Sequence, residues 1–151
     1  MAQWHYTQCG LDHVIIETDL VTDDAGEDVI SIPAIGILHR VIAEGVINAK
    51  GLLTGREFRF LRTEMGLTQG ELAEFFHRDS QSIARWEKGE TPIDAIHDMV
   101  MRKLVAERLG LSLNKHSIED LSRDRVSSTR VNEIKITHHH GENGHQYIVA
   151  A

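Results

Sequence analysis

Polar side chains that suit the edges of DNA bases are concentrated in SQSIARWEK, residues 80–88. Gln81 can form two hydrogen bonds with adenine, Arg85 can do the same with guanine, and a serine hydroxyl can meet several acceptors. Ser80 and Ser82 lie on either side of Gln81. If the stretch is helical, these residue types predict contacts with base edges in the major groove from its N-terminal end.

Three further polar residues complete the candidate site. Gln69 stands at the start of the preceding predicted helix, where backbone N–H groups help to bind a phosphate. Arg78 and Lys88 add positive charge on either side of the 80–87 helix core. The residues expected to contact DNA are therefore Gln69, Arg78, Ser80, Gln81, Ser82, Arg85 and Lys88.

Two other interpretations of this stretch stay open. The pair of helices can serve protein contact alone. Arg85 can also form a surface ion pair with Glu87 or Glu90, which would contribute little to stability. Replacing Gln81 and Arg85 by alanine distinguishes DNA reading from both interpretations.

A second cluster of side chains that could take part in chemistry lies near the C-terminus, in HHHGENGH. On a strand His138 and His140 share a face, and a hairpin would bring His145 opposite them. We interpret these residues and His139 as a solvated hairpin tip. The alternative is binding of nickel or zinc.

His5, Cys9 and His13 form another conceivable metal site, because histidine and cysteine are zinc ligands. No CxxC or HExxH spacing accompanies them, so an ordinary buried thiol is the expected role of Cys9. No catalytic Ser-His-Asp arrangement, nucleotide-binding loop or carboxylate pair stands out. We therefore expect no enzymatic activity, no cofactor and no bound metal.

Signals for helix starts are closely spaced between Thr54 and residue 109. Thr54 and Thr68 are each followed three residues later by glutamate, which is the capping-box pattern. Asp79 can cap the next helix, and Thr91 before Pro92 predicts one more start. The predicted helices cover residues 54–65, 69–76, 80–87 and 92–109.

Apolar residues at helical spacing predict which faces these helices bury. Ile83 is the expected buried anchor of the helix that carries the reading residues. The other residues predicted to pack inward are Leu72, Ala73, Phe75 and Phe76 on the second helix, and Ile93, Ile96, Val100, Leu104, Val105 and Leu109 on the last.

Strand signals flank this helical region. HVIIETDL and DVISIP, separated by VTDDAGE, predict an N-terminal β-hairpin, and residues 34–49 predict a helix after it. VNEIKITHHH and HQYIVAA around GENG predict a C-terminal hairpin, which could extend the same sheet. Ser117 to Asp120 predict one more helical turn. The expected fold is α+β with segments 1–50, 51–110 and 111–151.

The run LTQGELAEFF…SIARWEKGETP resembles the Cro/repressor (XRE) helix-turn-helix family in its LTQ-x-ELA opening and I-x-RWE-KG close. The resemblance implies a compact bundle of four or five helices that binds operator DNA as a dimer, with Trp86 as a partly buried aromatic. The family's turn commonly reads Gly-Val-Ser, whereas this chain has His77, Arg78 and Asp79. His77 therefore has to adopt a positive φ that glycine adopts more easily.

The layout of a β-rich N-terminal module before this reader also resembles MqsA-type antitoxins. In that family the N-terminal module binds zinc through paired cysteines and engages a toxin. Here Cys9 is the one cysteine, so ligation of zinc by four thiolates is impossible. The resemblance implies an arrangement of modules and a possible toxin partner, not a zinc site.

The formal charge of -7 is concentrated in residues 1–50, which hold eight acidic residues against Arg40 and Lys50. Residues 51–110 are close to neutral, so acidity does not argue against DNA binding there. The chain has no apolar run approaching the ~18 residues that span a membrane, and MAQWHYTQCG lacks the features of a signal peptide. The low cysteine content fits a reducing compartment. We expect a cytoplasmic protein without membrane association.

These observations together predict a transcriptional regulator of bacterial type, acting as a repressor and binding double-stranded operator DNA as a homodimer. One alternative is the antitoxin of a type II toxin-antitoxin pair, which would bind a basic toxin through residues 1–50 and repress its own operon through residues 67–89. A third is a metal-responsive regulator that uses the histidines.

Overall fold

The protein is described by a computed structural model that places residues 2–125, 133–141 and 144–150. It is an α+β protein, as predicted, and divides into two compact units: Met1–Ile42 with Asn132–Ala151, and Ala43–Val131. Its elements in chain order are β1 (Ala2–Tyr6), β2 (Val14–Thr18), β3 (Val21–Thr22), β4 (Asp28–Val29), α1 (Ile35–Asn48), α2 (Gly55–Glu64), α3 (Gln69–Phe76), α4 (Ser80–Lys88), α5 (Ala95–Leu109), α6 (Ile118–Arg125), β5 (Ile134–Gly141) and β6 (Gly144–Val149).

The first unit is built on a four-stranded sheet in the order β1-β2-β5-β6. β2 pairs antiparallel with β1 and parallel with β5, and β5 pairs antiparallel with β6. Alternate residues of β2 face inward, so Val14 and Ile16 are fully buried, and Ile16 lies opposite the equally buried Ile136. β-Branched side chains at alternate positions favour such a strand because they pack well on a pleated surface.

The predicted N-terminal hairpin is wrong in its pairing. The strand at residues 14–18 does not pair with residues 28–33, and only the two-residue strands β3 and β4 form a hairpin there. The turn itself lies where expected, because the Asp23 carboxylate accepts hydrogen bonds from the N–H groups of Ala25 and Glu27. β2 instead uses the partners β1 and β5, which give it hydrogen bonds on both edges.

The C-terminal hairpin is confirmed, and it extends the N-terminal sheet through the β2–β5 pairing. The parallel connection joins strands more than a hundred residues apart, so no local turn signal marks it. The helix predicted at residues 34–49 is confirmed as α1, whose Leu38 and Ile42 are fully buried.

The predicted short helices of the second unit are confirmed with small shifts at their ends. Thr54 and Thr68 form complete capping boxes, and Asp79 caps α4. The predicted cap at Thr91 is wrong: α5 begins three residues after Pro92, where the Asp94 carboxylate accepts from the His97 N–H at 2.9 Å. The predicted turn after Ser117 is the start of α6.

The predicted inward faces are confirmed for Leu72, Ala73, Phe76, Ile83, Ile93, Leu104 and Val105. Phe75, Ile96 and Val100 are instead 49%, 66% and 40% exposed, so their predicted burial is wrong, and Leu109 is partly exposed. α5 buries Asp98 and Arg102 in place of two of these apolar residues. Periodicity misses this face because it counts charged residues as outward.

A buried ion cluster fixes α5 within the second unit. The Arg102 guanidinium is fully buried and donates to Asp98 at 2.7 Å, and Arg125 donates to the same carboxylate oxygen at 3.0 Å. Arg102 also donates to backbone carbonyls at the end of α1 and just beyond it, namely those of Val46, Ile47, Ala49 and Gly51. The cluster therefore satisfies carbonyl groups that the last turn of α1 leaves without helical partners.

Candidate nucleic-acid interface

A turn of three residues, His77 to Asp79, joins α3 to α4. His77 has φ 55° and ψ 39°, the left-handed conformation that the sequence requires at this position. The turn is closed by hydrogen bonds from the Arg78 N–H to the Ala73 carbonyl and from the His77 N–H to the Glu74 carbonyl, at 2.9 and 3.2 Å. These bonds end α3 and fix the backbone of the turn from which α4 begins.

The inner face of α4 is packed against α2. Ile83 is fully buried and Trp86 is 5% exposed, with the Trp86 ring edge-on to Phe58 at a centroid distance of 5.7 Å. Gly55, the first residue of α2, lies directly against the α4 backbone: a Cβ at that position would stand 2.5 Å from the Glu87 carbonyl oxygen. Only glycine permits this approach.

Arg62 on α2 ties the segments around α4 together. Its Nε and Nη2 donate to the two carboxylate oxygens of Glu87 at 2.8 and 2.9 Å, and its Nη1 donates to the Leu67 carbonyl at 2.9 Å. Both side chains are largely buried. Residues 25 apart give no spacing signal, so this positioning pair was not predictable from the sequence. Glu87 is therefore paired with Arg62 and not with Arg85, which was the alternative considered from the sequence.

The outer face of α4 is open. Ser80, Gln81, Arg85 and Lys88 are exposed. Within the part of the chain that the structure describes, the side chains of Gln81 and Arg85 make no hydrogen bond or ion pair. The expected residues thus present donors and acceptors to solvent from a helix whose opposite face is buried.

The remaining three expected residues have partly different roles. Gln69 is the first residue of α3 and is half-buried. Arg78 is exposed and lays its guanidinium over the Trp86 ring, 5.4 Å from the centroid. Ser82 is half-buried and donates to the Asp79 carboxylate through its backbone N–H at 2.7 Å, so it helps to cap the helix.

Local electrostatics at the start of α4 favour the ionised cap. The backbone hydrogen bond from Ser82 holds the pKa of the Asp79 carboxyl below its ordinary value, and the charges of Arg85 and Arg78 act in the same direction. The cap carboxylate partly offsets the positive field of the two guanidinium groups. Lys88 adds a further cation at the other end of the helix, and the Glu87 carboxylate beside it is neutralised by Arg62.

The histidines considered above as metal ligands lie in the first unit: His5, His13, His138, His139, His140 and His145. His140 and His145 are directly opposed across β5 and β6, as predicted for a hairpin, and His138 Nε2 lies 3.0 Å from His145 Nδ1. Near the N-terminus the His5 ring is hydrogen-bonded to the Asp12 carbonyl. Across residues 2–125, 133–141 and 144–150, no three His, Cys, Asp or Glu side chains are grouped so as to hold a metal ion.

None of the described helices combines the length and apolar character needed to cross a membrane. Comparison of the chain with protein-family models, with curated proteins and with solved structures found no match. Functional inference therefore depends on the geometry of the α3–α4 pair and on the charge and exposure of the surfaces around it.

Proposed function

We propose that the protein is a sequence-specific DNA-binding transcriptional regulator that reads the major groove with α4. The observation that carries the proposal is the division of α4 into a buried face, anchored by Ile83 and Trp86, and an open face that presents Gln81 and Arg85. Side chains that read bases must be free of internal partners and held on a rigid support, and α4 provides both conditions.

The charge distribution supports a dimer rather than a single reader. Arg78, Arg85 and Lys88 are the cations around the reading helix, so one subunit would release few counterions from DNA. Two subunits double the contacts and fix two half-sites about one helical turn apart. We infer a homodimer that binds a roughly palindromic operator in the cytoplasm and represses transcription by occupying it, without catalysis.

The test begins with selection of preferred sequences from a random pool of duplex DNA. We expect a palindromic consensus, bound by the purified protein with an affinity that falls as salt concentration rises. The variant that combines Gln81→Ala with Arg85→Ala should lose about 1–3 kcal/mol of binding free energy per contact. Arg123→Ala, which removes an exposed arginine from α6, is the charge-matched control and should bind normally.

Three results would reject this function. They are failure to enrich any sequence, binding by the double variant equal to that of the wild type, and a monomer at micromolar concentration whose DNA binding ignores salt. Circular dichroism of each variant must match the wild type, so that loss of binding is not caused by unfolding.

A second candidate function, an antitoxin that binds a basic toxin, is favoured by the segment 19–37. None of its side chains is buried, and Leu20, Val21 and Ile37 are each 50% exposed. Five carboxylates accompany them, and no lysine or arginine precedes Arg40. A second copy of the segment and DNA would both be repelled by this charge, so an apolar surface with a basic rim is the complementary partner.

This second function predicts a small basic protein encoded beside the gene. Co-expression should yield a complex that Leu20→Ser with Val21→Ser disrupts, whereas Ile148→Ser, an exposed aliphatic residue of β6, should leave it intact. A complex that survives the double change, or the absence of an adjacent basic reading frame, would argue against the antitoxin. Neither result affects the DNA-binding proposal.

A further inference from the structure

Two imidazole rings of the C-terminal hairpin share a single short contact. His138 Nε2 and His145 Nδ1 are 3.0 Å apart, and the rings are stacked with 5.1 Å between centroids. The other nitrogen of His138, Nδ1, lies 3.0 Å from the hydroxyl oxygen of Thr18, which is buried. Both nitrogens of His138 are therefore engaged.

The number of protons on the two rings decides whether this hydrogen bond can form. A neutral imidazole has one N–H donor and one acceptor nitrogen, so two neutral rings can form the bond, and so can one neutral ring with one imidazolium. When both rings are charged, two N–H donors face each other at 3.0 Å with no acceptor between them, and two positive charges stand side by side. The contact is incompatible with the doubly protonated pair.

Most of the groups around His138 also disfavour its protonation. Burial lowers the pKa of His138, the charges of His145, His140 and His139 lower it further, and Asp19 acts in the opposite direction. Tyr147 stacks on the His138 ring at 4.8 Å. A histidine whose pKa is lowered on folding stabilises the folded state above its ordinary pKa of about 6.5, and this contribution is lost as the pH falls through the lowered value.

The pair also touches the base of the exposed segment 19–37. His138 and His145 line a pocket together with Asp19 and Ser31. Tyr147, which stacks on His138, donates a hydrogen bond from its hydroxyl to the Pro33 carbonyl. The pair is therefore beside Asp19 on one side of the acidic residues 19–28 and is linked through Tyr147 to Pro33 on the other.

We propose that the His138–His145 pair is a proton-sensitive latch, which holds β6 and the Pro33 end of the acidic segment in place when it carries at most one proton charge and releases them when both rings are charged. The device is independent of DNA reading by α4. It would make the exposure of the acidic segment depend on pH in mildly acidic conditions.

Amide hydrogen exchange on the whole protein tests the latch at pH 7.5 and pH 5.0, after correction for intrinsic exchange rates. The wild type should lose at least about tenfold protection in β5, β6 and residues 19–33, because stability lost on protonation appears as lost protection from exchange. His145→Gln should lose no more than about threefold, because glutamine can still bond to His138 but cannot become charged. His116→Gln is the control, because His116 is an exposed histidine of the helical unit and its charge is not among those that shift the pKa of His138; it should behave as the wild type.

A second measurement needs no variant. Nitrogen-15 spectra of the imidazole rings should show His138 taking up its proton below the ordinary histidine pKa of about 6.5, together with loss of the cross-strand contacts of Tyr147. The latch is refuted if His145→Gln keeps the full pH dependence, if the wild type shows none, or if the contacts persist while both His138 and His145 are protonated.

Discussion

Charged side chains play opposite roles in two regions of the helical unit. On the inner face of α5, Asp98 and Arg102 are fully buried. Every side-chain nitrogen of Arg102 has an acceptor among carboxylate and carbonyl oxygens. On the outer face of α4, Arg85 and Lys88 are exposed. The same residue type is thus a structural element in one place and a candidate DNA contact in the other.

The comparison shows that pairing, rather than charge, identifies the candidate site. A buried arginine with fixed partners cannot turn toward DNA without leaving a buried carboxylate unpaired, which is costly. An exposed arginine loses only its hydrating water when it contacts DNA. Arg62 belongs to the first group although it lies beside α4, because Glu87 holds it in two hydrogen bonds.

The largest expected effect is on stability, and it distinguishes buried, paired arginines from exposed ones. Arg102→Ala should lower the free energy of unfolding by about 3–5 kcal/mol, because it leaves Asp98 buried without its partner and removes donors from the end of α1. Arg108→Ala, on the exposed side of the same helix, should change it by less than about 0.5 kcal/mol. Urea denaturation followed by circular dichroism measures both. Equal effects would remove the basis of the comparison.

A smaller effect distinguishes the packed side of α4 from the open side of its neighbour α3. Gly55→Ala should destabilise the protein by about 1–3 kcal/mol, because the new methyl group meets the carbonyl oxygens of Trp86 and Glu87. Gly70→Ala is the matched control: its nearest neighbour would be the Thr68 hydroxyl oxygen at 3.9 Å, so alanine should be neutral or stabilising by up to about 1 kcal/mol. If both changes have the same sign, α2 does not approach α4 as closely as described.

The smallest effect concerns the surface cap of α4. Because the pKa of Asp79 is lowered in the folded state, its stabilising contribution is present above the ordinary carboxyl pKa of about 3.9 and is lost as the pH falls through the lowered value. Asp79→Asn keeps the cap without the titration. Its melting temperature should therefore decline less than that of the wild type between pH 5 and pH 2.5, and parallel declines would contradict the assignment.

Local signals predicted the helices of the second unit well. Thr54, Thr68 and Asp79 mark starts that the structure keeps, and His77 has the positive φ that the resemblance implied for the turn. The failures are equally informative. Thr91 and Pro92 fit the pattern of a helix start, but Asp94 is the residue that caps α5. Ile96 and Val100 follow the apolar period of α5 and remain exposed, because the ion cluster of Asp98 and Arg102 decides which face turns inward.

The sequence predicted the residue types of the candidate site but not the contacts that hold α4 in place. Gln81 and Arg85 lie exposed on α4 as expected, whereas the pair Arg62 and Glu87 and the contact at Gly55 were missed. Each missed feature joins residues on different helices. Spacing along the chain carries no information about such contacts.

The amino-acid sequence by itself determined where α2, α3 and α4 begin, where the turn between α3 and α4 lies and which polar residues α4 carries, because a cap or a turn is satisfied by hydrogen bonds within three or four residues. Tertiary structure decided that β2 pairs with β1 and β5, that Arg102 is buried and that Arg62 holds Glu87. Those outcomes depend on partners brought together from distant parts of the chain, where burial makes an unpaired charge or an unpaired strand edge costly.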